Sequence, residues 1–340
     1  MKHEYSKGEV NRAGDALRSY SADSSGLNHA IGIVDYWRQI HLEPLREMME
    51  IIYGYSEDKN LPVAGRVKKF DTIVDKLRRI PTVKLSTMYD IAGCRIVVEN
   101  MVDLEELCSN LELSRNYDRE KSIKKNYLIR PHPSMSGYRS KHLIFKFDAL
   151  DCEKILFVEL QVRTRLQHLW STAVELYDKA RKTRMKFGEP NPASWQFFRR
   201  ASELIKCLEN GEEVDAKTIR DAFPVKESPQ SIIRILAELR EASESVSILL
   251  DFDDEFEYCL IDFLPAEQVI MLLKSDSGKV IEQYSKHEQT WRSMNDSFQE
   301  RDTVLVKGSS IGQLAILYPN YFGDISGFLE LADKYPNVFC

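Results

Sequence analysis

The sequence predicts an α/β core followed by a smaller α+β module. Three observations carry that expectation. Helix-spaced apolar segments alternate with short strand-like runs as far as residue 209. A polar stretch at 210–230, holding Gly211, Pro224 and Pro229, then interrupts the pattern. Beyond that stretch the charge reverses sign.

In chain order, residues 1–25 are polar and small and read as a partly ordered lead. Ile31, Ile33, Val34, Trp37, Ile40, Leu45, Met48 and Ile51 recur at helical spacing, with Pro44 marking a break or a new first turn. A second helix is expected over 66–79, with Phe70, Ile73, Val74 and Leu77 on one face. The run IAGCRIVV (91–98) reads as a strand, 103–113 as a short helix, and 130–138 as a loop dense in Pro, Ser and Gly. Two strands, 139–148 and 155–163, suggest a hairpin, and helical patterning returns at 164–183 and 193–209. This places a core at 26–210, a linker at 211–230 and an accessory module at 231–340. Within that module a helix is expected at 231–243, strands at 247–273, a helix at 276–294, a strand at 302–307 and a last helix at 325–335.

The composition excludes several classes. Hydrophobic residues at 43% and charged residues at 29% rule out wholesale disorder and low complexity. No apolar run approaches the roughly 18 residues of a spanning helix, and the opening MKHEYSKGEVNRAGD lacks the apolar heart of a signal peptide. A cytoplasmic protein is the expectation. The six cysteines are nowhere closer than fourteen positions, which is not zinc-ligand spacing.

The net charge of −6 hides a division. Residues 61–80 hold six Lys/Arg against two acids, 115–142 eight against two, and 163–186 seven against two. Residues 241–300 hold four against fourteen acids. Concentrated positive field suits a polyphosphate or nucleic-acid ligand, whereas a single charge run is more often plain solvated surface.

Certain side chains stand out for their chemistry. Thr72, Lys76 and Arg79 share a face at helical spacing after Arg66, while Lys68 points elsewhere unless the first turn is loop. Asp90 immediately precedes the 91–98 strand, which carries Arg95. Glu159 interrupts the apolar run ILFVELQV, and alternation sets it on one face with Gln161 and Arg163. A carboxylate there needs a cation close by, since burying it unpaired is costly. That cation could be a neighbouring arginine or Mg²⁺, which takes oxygen ligands and keeps positions open for phosphates. Tyr138 follows Gly137 at a strand start, where a tyrosine is ordinarily core but can offer a flat face to a base.

Four stretches, RVKKFDTIVDKLRR (66–79), YDIAGCRIVV (89–98), NYLIRPHPSMSGYRSKH (126–142) and VELQVRT (158–164), occur together and in order. Their combination resembles the RelA/SpoT-type nucleotide pyrophosphokinases, in the small, synthetase-only group, over about residues 30–205. The resemblance implies a nucleotidyltransferase-like mixed sheet flanked by helices. It implies transfer of the β,γ-pyrophosphate of ATP to a ribose 3′-hydroxyl of GDP or GTP, with release of AMP. By the same resemblance Arg66 and Arg95 sandwich adenine, and Lys68, Thr72, Lys76 and Arg79 hold the ATP phosphates. Asp90 and Glu159 bind Mg²⁺, and Glu159 also helps deprotonate the attacking hydroxyl. Gln161 and Arg163 buttress Glu159 or meet phosphate, Tyr138 stacks the acceptor base, and His142 contacts acceptor phosphate.

The chain departs from the pattern in places. Asn126-Tyr127-Leu128 stands for the usual Asp-Tyr-Ile, Arg130-Pro131 for Lys-Pro, and His168 where several small synthetases carry a guanine-contacting Asn. No His-Asp dipeptide occurs, and the space before residue 60 is short for the hydrolase domain of long members. Two other readings remain open at this point: a toxic synthetase that pyrophosphorylates the tRNA 3′ end, its acceptor stem lying on the basic 163–186 surface, and a non-catalytic nucleotide-binding module. The acidic module would serve either as a regulator docked on the basic face or as an accessory or homo-oligomerisation unit.

Overall fold

The computed structural model describes residues 4–19, 27–56, 61–113, 123–126, 136–148, 154–183, 185, 194–225, 228–244, 247–250, 256–264, 269–275, 279–293, 302–308, 311–318, 322 and 324–339. Three helices come first: α1 (Lys7–Ala16), α2 (Asn28–Ile40) and α3 (Leu42–Ser56). Strand β1 (Val63–Val67), α4 (Phe70–Arg79), β2 (Ala92–Val98) and α5 (Met101–Leu113) follow. Next are β3 (Ile123–Asn126), β4 (Lys141–Asp148), β5 (Ile155–Thr164), α6 (Arg165–Arg181) and α7 (Ser194–Asn210). Then come α8 (Ala216–Ala222), α9 (Pro229–Glu244), β6 (Ser247–Leu250), β7 (Tyr258–Leu264), β8 (Val269–Ser275) and α10 (Val280–Ser293). Strand β9 (Asp302–Lys307) and α11 (Ile311–Leu317) precede two closing helices, Ser326–Lys334 and Pro336–Phe339.

The strands form one mixed sheet of nine in the order β3-β4-β5-β2-β1-β9-β7-β8-β6. The pair β2/β5 is parallel, while β4/β5, β1/β2 and β1/β9 are antiparallel. The sheet therefore runs without interruption through the boundary expected at 211–230. Strand β9 lies directly against β1, with Arg66 opposite Val306.

Alternation along the strands creates two unlike faces. One is a continuous core. Val63, Val67, Cys94, Ile96, Leu143, Phe145, Val158, Leu160, Tyr258 and Leu305 pack there against Leu45 and Met49 of α3, Leu104 and Leu111 of α5, and Tyr284 of α10. On the other face the apolar floor of Ala64, Val97, Cys259, Ile261, Val304 and Val306 is covered by Leu314, Leu317 and Tyr318. The intervening positions Arg66, Gly93, Arg95, Glu159, Gln161 and Arg163 share that second face, and α11 lies alongside them.

Three sequence expectations need correction. The helix expected from residue 66 begins at Phe70, because Val63, Gly65 and Val67 alternate as a buried strand, so Arg66 is a strand residue. The polar lead contains α1, whose start carries a capping box in which Ser6 and Glu9 satisfy each other's backbone N–H groups. The signal, serine followed three places later by glutamate, was present in the sequence. The expected linker is structured in part: Asp215 caps α8, Ile219 is buried, and Arg200 of α7 donates to the Phe223 carbonyl at 2.7 Å. Of the loop expected at 130–138, residues 130–135 lie outside the described residues.

Candidate active site

Backbone pairing places the polar row. On the second face Glu159 stands opposite Gly93 and Gly93 opposite Arg66, so the missing side chain of Gly93 leaves a gap between carboxylate and guanidinium. One step along, His142, Gln161 and Arg95 are neighbours across β4, β5 and β2. A glycine inside a strand often marks such a close approach. A Cβ at Gly93 would meet the Glu159 carbonyl oxygen at 3.1 Å.

Asp90 sits at the turn into β2. It accepts from Lys68 Nζ at 2.9 Å and from Lys76 Nζ at 2.6 Å. Burial alone would raise its pKa, but the two ammonium groups more than reverse this and hold the carboxyl well below the usual range. Lys68 comes from the turn after β1 and Lys76 from the middle of α4. Thr72 lies one turn before Lys76 on α4, exposed, with its hydroxyl donating to the Lys69 carbonyl. Arg79 lies one turn after it, 3.7 Å from Asp75. The structure thus joins Lys68 and Lys76 to Asp90 and leaves Thr72 and Arg79 on the flanks of the same helix face.

Glu159 accepts from His142 Nδ1 at 3.0 Å and from Gln161 Nε2 at 2.9 Å. Burial opposes its charge, and His142 outweighs burial, with help from Gln161, drawing its pKa down to about 2. The partners that a buried carboxylate needs are thus supplied by His142 and Gln161, one at each oxygen. His142 in turn has its pKa raised: burial works against the imidazolium, but Tyr138 and Glu159 favour it more.

Tyr138 is buried, 6.3 Å between ring centres from Trp170, with its hydroxyl 2.8 Å from His142 Nε2. Arg163, fully buried, donates through Nη2 to the Tyr138 oxygen at 2.9 Å and to Gln161 Oε1 at 3.1 Å. Arg163 is therefore not part of an exposed basic surface; among its expected companions Arg165, Arg181 and Lys182 are exposed.

Arg66, Asp90, Gly93, Arg95, Glu159 and Gln161 line one pocket, and Tyr318 lines it with them. What remains open holds about one water molecule. Arg95 donates to the Leu317 carbonyl at 2.7 Å, and its guanidinium lies 5.3 Å from the centre of the Tyr318 ring. Burial, then the neighbouring Arg163, lowers Arg95 to about 10. His168 on α6 is bonded through Nε2 to the Ile316 carbonyl at 2.7 Å. Burial, then Arg95 and Arg163, pushes it down to about 3. Sequence reasoning missed Gly93, which a glycine inside a strand signals, and Tyr318, which no local pattern signals.

Residues 65–182, the segment that supplies nearly all of this pocket, match the family described as "Region found in RelA / SpoT proteins". That segment is similar to the RelA/SpoT region. The curated relatives include GTP pyrophosphokinase YjbM of Bacillus subtilis (strain 168), 34% identical over 128 residues, which are 36% of this chain and 58% of that protein. An uncharacterized protein of Mycobacterium tuberculosis (strain ATCC 25618 / H37Rv) is 30% identical over 188 residues, 54% of this chain and 63% of that one. The chain thus spans less than two thirds of the length of these curated relatives. Among solved structures it is similar to small alarmone synthetase 1 from Bacillus subtilis bound to its product pppGpp. There the identity is 26% and the TM-score 0.42, with 54% of this chain and 94% of that chain covered. It is also similar to small alarmone synthetase 2 of the same organism, with 22% identity, a TM-score of 0.41, and 52% and 92% covered. The RelA/SpoT region accounts for β1 to α6, and α7 to the C-terminus lies beyond it.

Two carboxylates, Asp90 and Glu159, face one pocket, and hard oxygen donors of this kind fit Mg²⁺, which binds through one or two carboxylates plus phosphate and water. No group of three His, Cys, Asp or Glu side chains gathers among the described residues, so substrate oxygens would complete such a site. No helix among the described residues is long and apolar enough to cross a membrane.

Proposed function

We propose that this chain is a pyrophosphokinase that moves the β,γ-pyrophosphate of ATP onto the ribose 3′-hydroxyl of GDP or GTP. One observation carries the reading: Arg66, Asp90, Arg95 and Glu159 converge on a single pocket of the RelA/SpoT region. Transfer of this kind depends chiefly on positioning and on neutralising phosphate charge. Arg66 and Arg95 offer two guanidinium planes to a base. Lys68 and Lys76 turn from Asp90 to the phosphates, with Thr72 and Arg79 extending the same cationic face. Mg²⁺ held by Asp90 and Glu159 would neutralise the phosphate oxygens. Glu159, ionised at neutral pH, takes the proton of the attacking hydroxyl as its oxygen bonds to the β-phosphorus and the bond to the AMP oxygen breaks.

The same reading includes restraint by the chain's own C-terminal part. A regulator docked by complementary charge was one sequence expectation. The contact here is of another kind: α11 is apolar, and it brings two carbonyls and an aromatic ring to Arg95 and His168. Tyr318 occupies the flat space beside Arg95 that a base would need.

The test supplies ATP labelled on the γ-phosphate with Mg²⁺ and GDP, GTP or bulk tRNA, and uses Glu159→Gln as control. Label on GDP or GTP, lost in the variant, supports the proposal. Label on tRNA alone replaces the acceptor, and no transfer by either the wild type or Tyr318→Ala would count against catalysis altogether.

A further inference from the structure

Helix α7 lies outside the segment that matches the family, which ends at residue 182, yet it braces the turn that leads into β4. Ser202 Oγ donates to the Gly137 carbonyl at 2.6 Å, and the Phe198 carbonyl accepts from Trp170 Nε1 at 2.7 Å. Gly137 has φ +90°, a backbone conformation that suits glycine. A Cβ there would meet Ser202 Cβ and Trp170 Cζ2, each at 3.1 Å. Gly137, Arg139, Gln167, Trp170, Ser202 and Ile205 close together with no room between them for a water molecule.

Further along α7 stands Glu209, whose side chain is 2% exposed. It accepts from Arg139 Nη2 at 3.0 Å, from Gln167 Nε2 at 3.0 and 3.2 Å, and from the Thr164 hydroxyl. A carboxylate only accepts, and each of these groups has a hydrogen to give. Arginine can only donate. Gln167 Oε1 is taken by the Thr164 N–H, so its NH₂ faces Glu209. Thr164 Oγ1 takes the Gln167 N–H, and its own hydrogen goes to Glu209. An amide in place of Glu209 would turn an NH₂ toward one of these donors. Arg139 directly follows Tyr138, and Thr164 directly follows Arg163 at the end of β5. One buried side chain therefore ties the start of β4 to the end of β5.

We propose that Glu209, assisted by Ser202, is a positioning residue for the acceptor side of the pocket, holding the 137–139 turn from which Tyr138 and His142 reach the acceptor nucleotide. The inference rests on reading those two side chains as acceptor contacts. Glu209 acts through Arg139 and Thr164, and Ser202 through the Gly137 carbonyl. A base against Tyr138 senses any shift of this turn. Arg66, Lys68 and Lys76 come from β1, the turn after it and α4, elements that none of these bonds joins to α7. The proposal therefore separates the two nucleotides: α7 governs the acceptor and leaves ATP alone.

The test is Glu209→Gln in the full chain. Hydrogen exchange followed by mass spectrometry reports on residues 136–142 whether or not the protein turns over, and calorimetry reports binding of GDP and of a non-hydrolysable ATP analogue. Exchange at 136–142 should quicken about tenfold or more, with α4 unchanged. GDP binding should weaken about tenfold or more while analogue binding stays within about twofold. Unchanged exchange in a folded Glu209→Gln overturns the proposal. Faster exchange with unchanged GDP affinity overturns it too, as does an equal loss for both nucleotides, since each leaves a purely structural role. If Glu209→Gln does not fold, Ser202→Ala decides on the same readings. It removes the bond to Gly137 and should weaken GDP binding about threefold, and an unchanged affinity overturns the proposal. Absence of GDP binding by the wild type would overturn the acceptor reading on which the proposal rests, while the exchange result would still decide whether α7 holds the turn.

Discussion

Arg38 on α2 and Glu288 on α10 meet at 2.9 Å in the interior, joining parts of the chain 250 residues apart. Neither side chain is appreciably accessible, and the Arg38 guanidinium also lies 4.2 Å from the Tyr284 ring centre. The other oxygen of Glu288 accepts from the Phe70 backbone N–H at 2.9 Å, so a C-terminal carboxylate completes the start of α4, the helix that carries Lys76. Glu288→Ala leaves a buried cation without its main partner and a helix N–H without an acceptor. The expected cost is about 3–5 kcal/mol in urea unfolding. A double variant, Arg38→Met with Glu288→Leu, recovers much of it. A loss below about 1 kcal/mol for Glu288→Ala would mean the pair is not a stabilising contact.

Tyr318→Ala empties the space beside Arg95 while leaving strand β9 paired with β1. ATP binding, followed by calorimetry with a non-hydrolysable analogue, should tighten about tenfold or more, because a competing closed form no longer has to be displaced. Equal affinities would show that Tyr318 does not compete with nucleotide.

Gly93→Val places a branched side chain between Glu159 and Arg66. The Glu159 backbone must yield by a few tenths of an ångström, so stability should change by about 1 kcal/mol at most. Analogue binding should be lost. Retained binding would show that nucleotide does not enter between these two strands.

The response to acid follows from two buried histidines. His41 is pushed down to about 4 by burial, which outweighs its bond to the Trp37 carbonyl, and His168 lies at about 3. Both are held neutral in the fold and titrate near 6.5 when unfolded. The unfolded state therefore binds protons that the native state does not. The stability from this source is present above pH 6.5 and is lost progressively as pH falls toward 4 and 3. The slope is on the order of 1.4 kcal/mol per pH unit for each histidine. Glu159 adds a second loss at lower pH, from about 4.5 down to about 2. Urea midpoints independent of pH between 6.5 and 4.5 would contradict this account.

Much of the site was legible because its signals are local. Asp90 before an apolar strand, Glu159 inside one and Gln161 and Arg163 at alternate positions all follow from a period of two. The boundaries at Arg66 were not legible in the same way. Val63 to Val67 is too short a strand to outweigh the strong helical pattern that begins at Phe70, and only pairing with both β2 and β9 makes it a strand. Capping at Ser6 was readable and yields α1, whereas nothing in the spacing of Asp215 and Ile219 shows that α8 packs on α7.

By itself the sequence determined the apolar stripes of the helices and the shared face of Glu159, Gln161 and Arg163 on one strand, since these depend on periodicity alone. The partners were decided by the tertiary structure. Burial leaves Glu159 dependent on whichever partner the fold brings, and register brought His142. Asp90 is met by two lysines because a turn and a helix converge there. Tyr318 reaches Arg95 because β9 joins β1 and carries α11 across the polar row, a relation between positions 223 residues apart that no local pattern encodes.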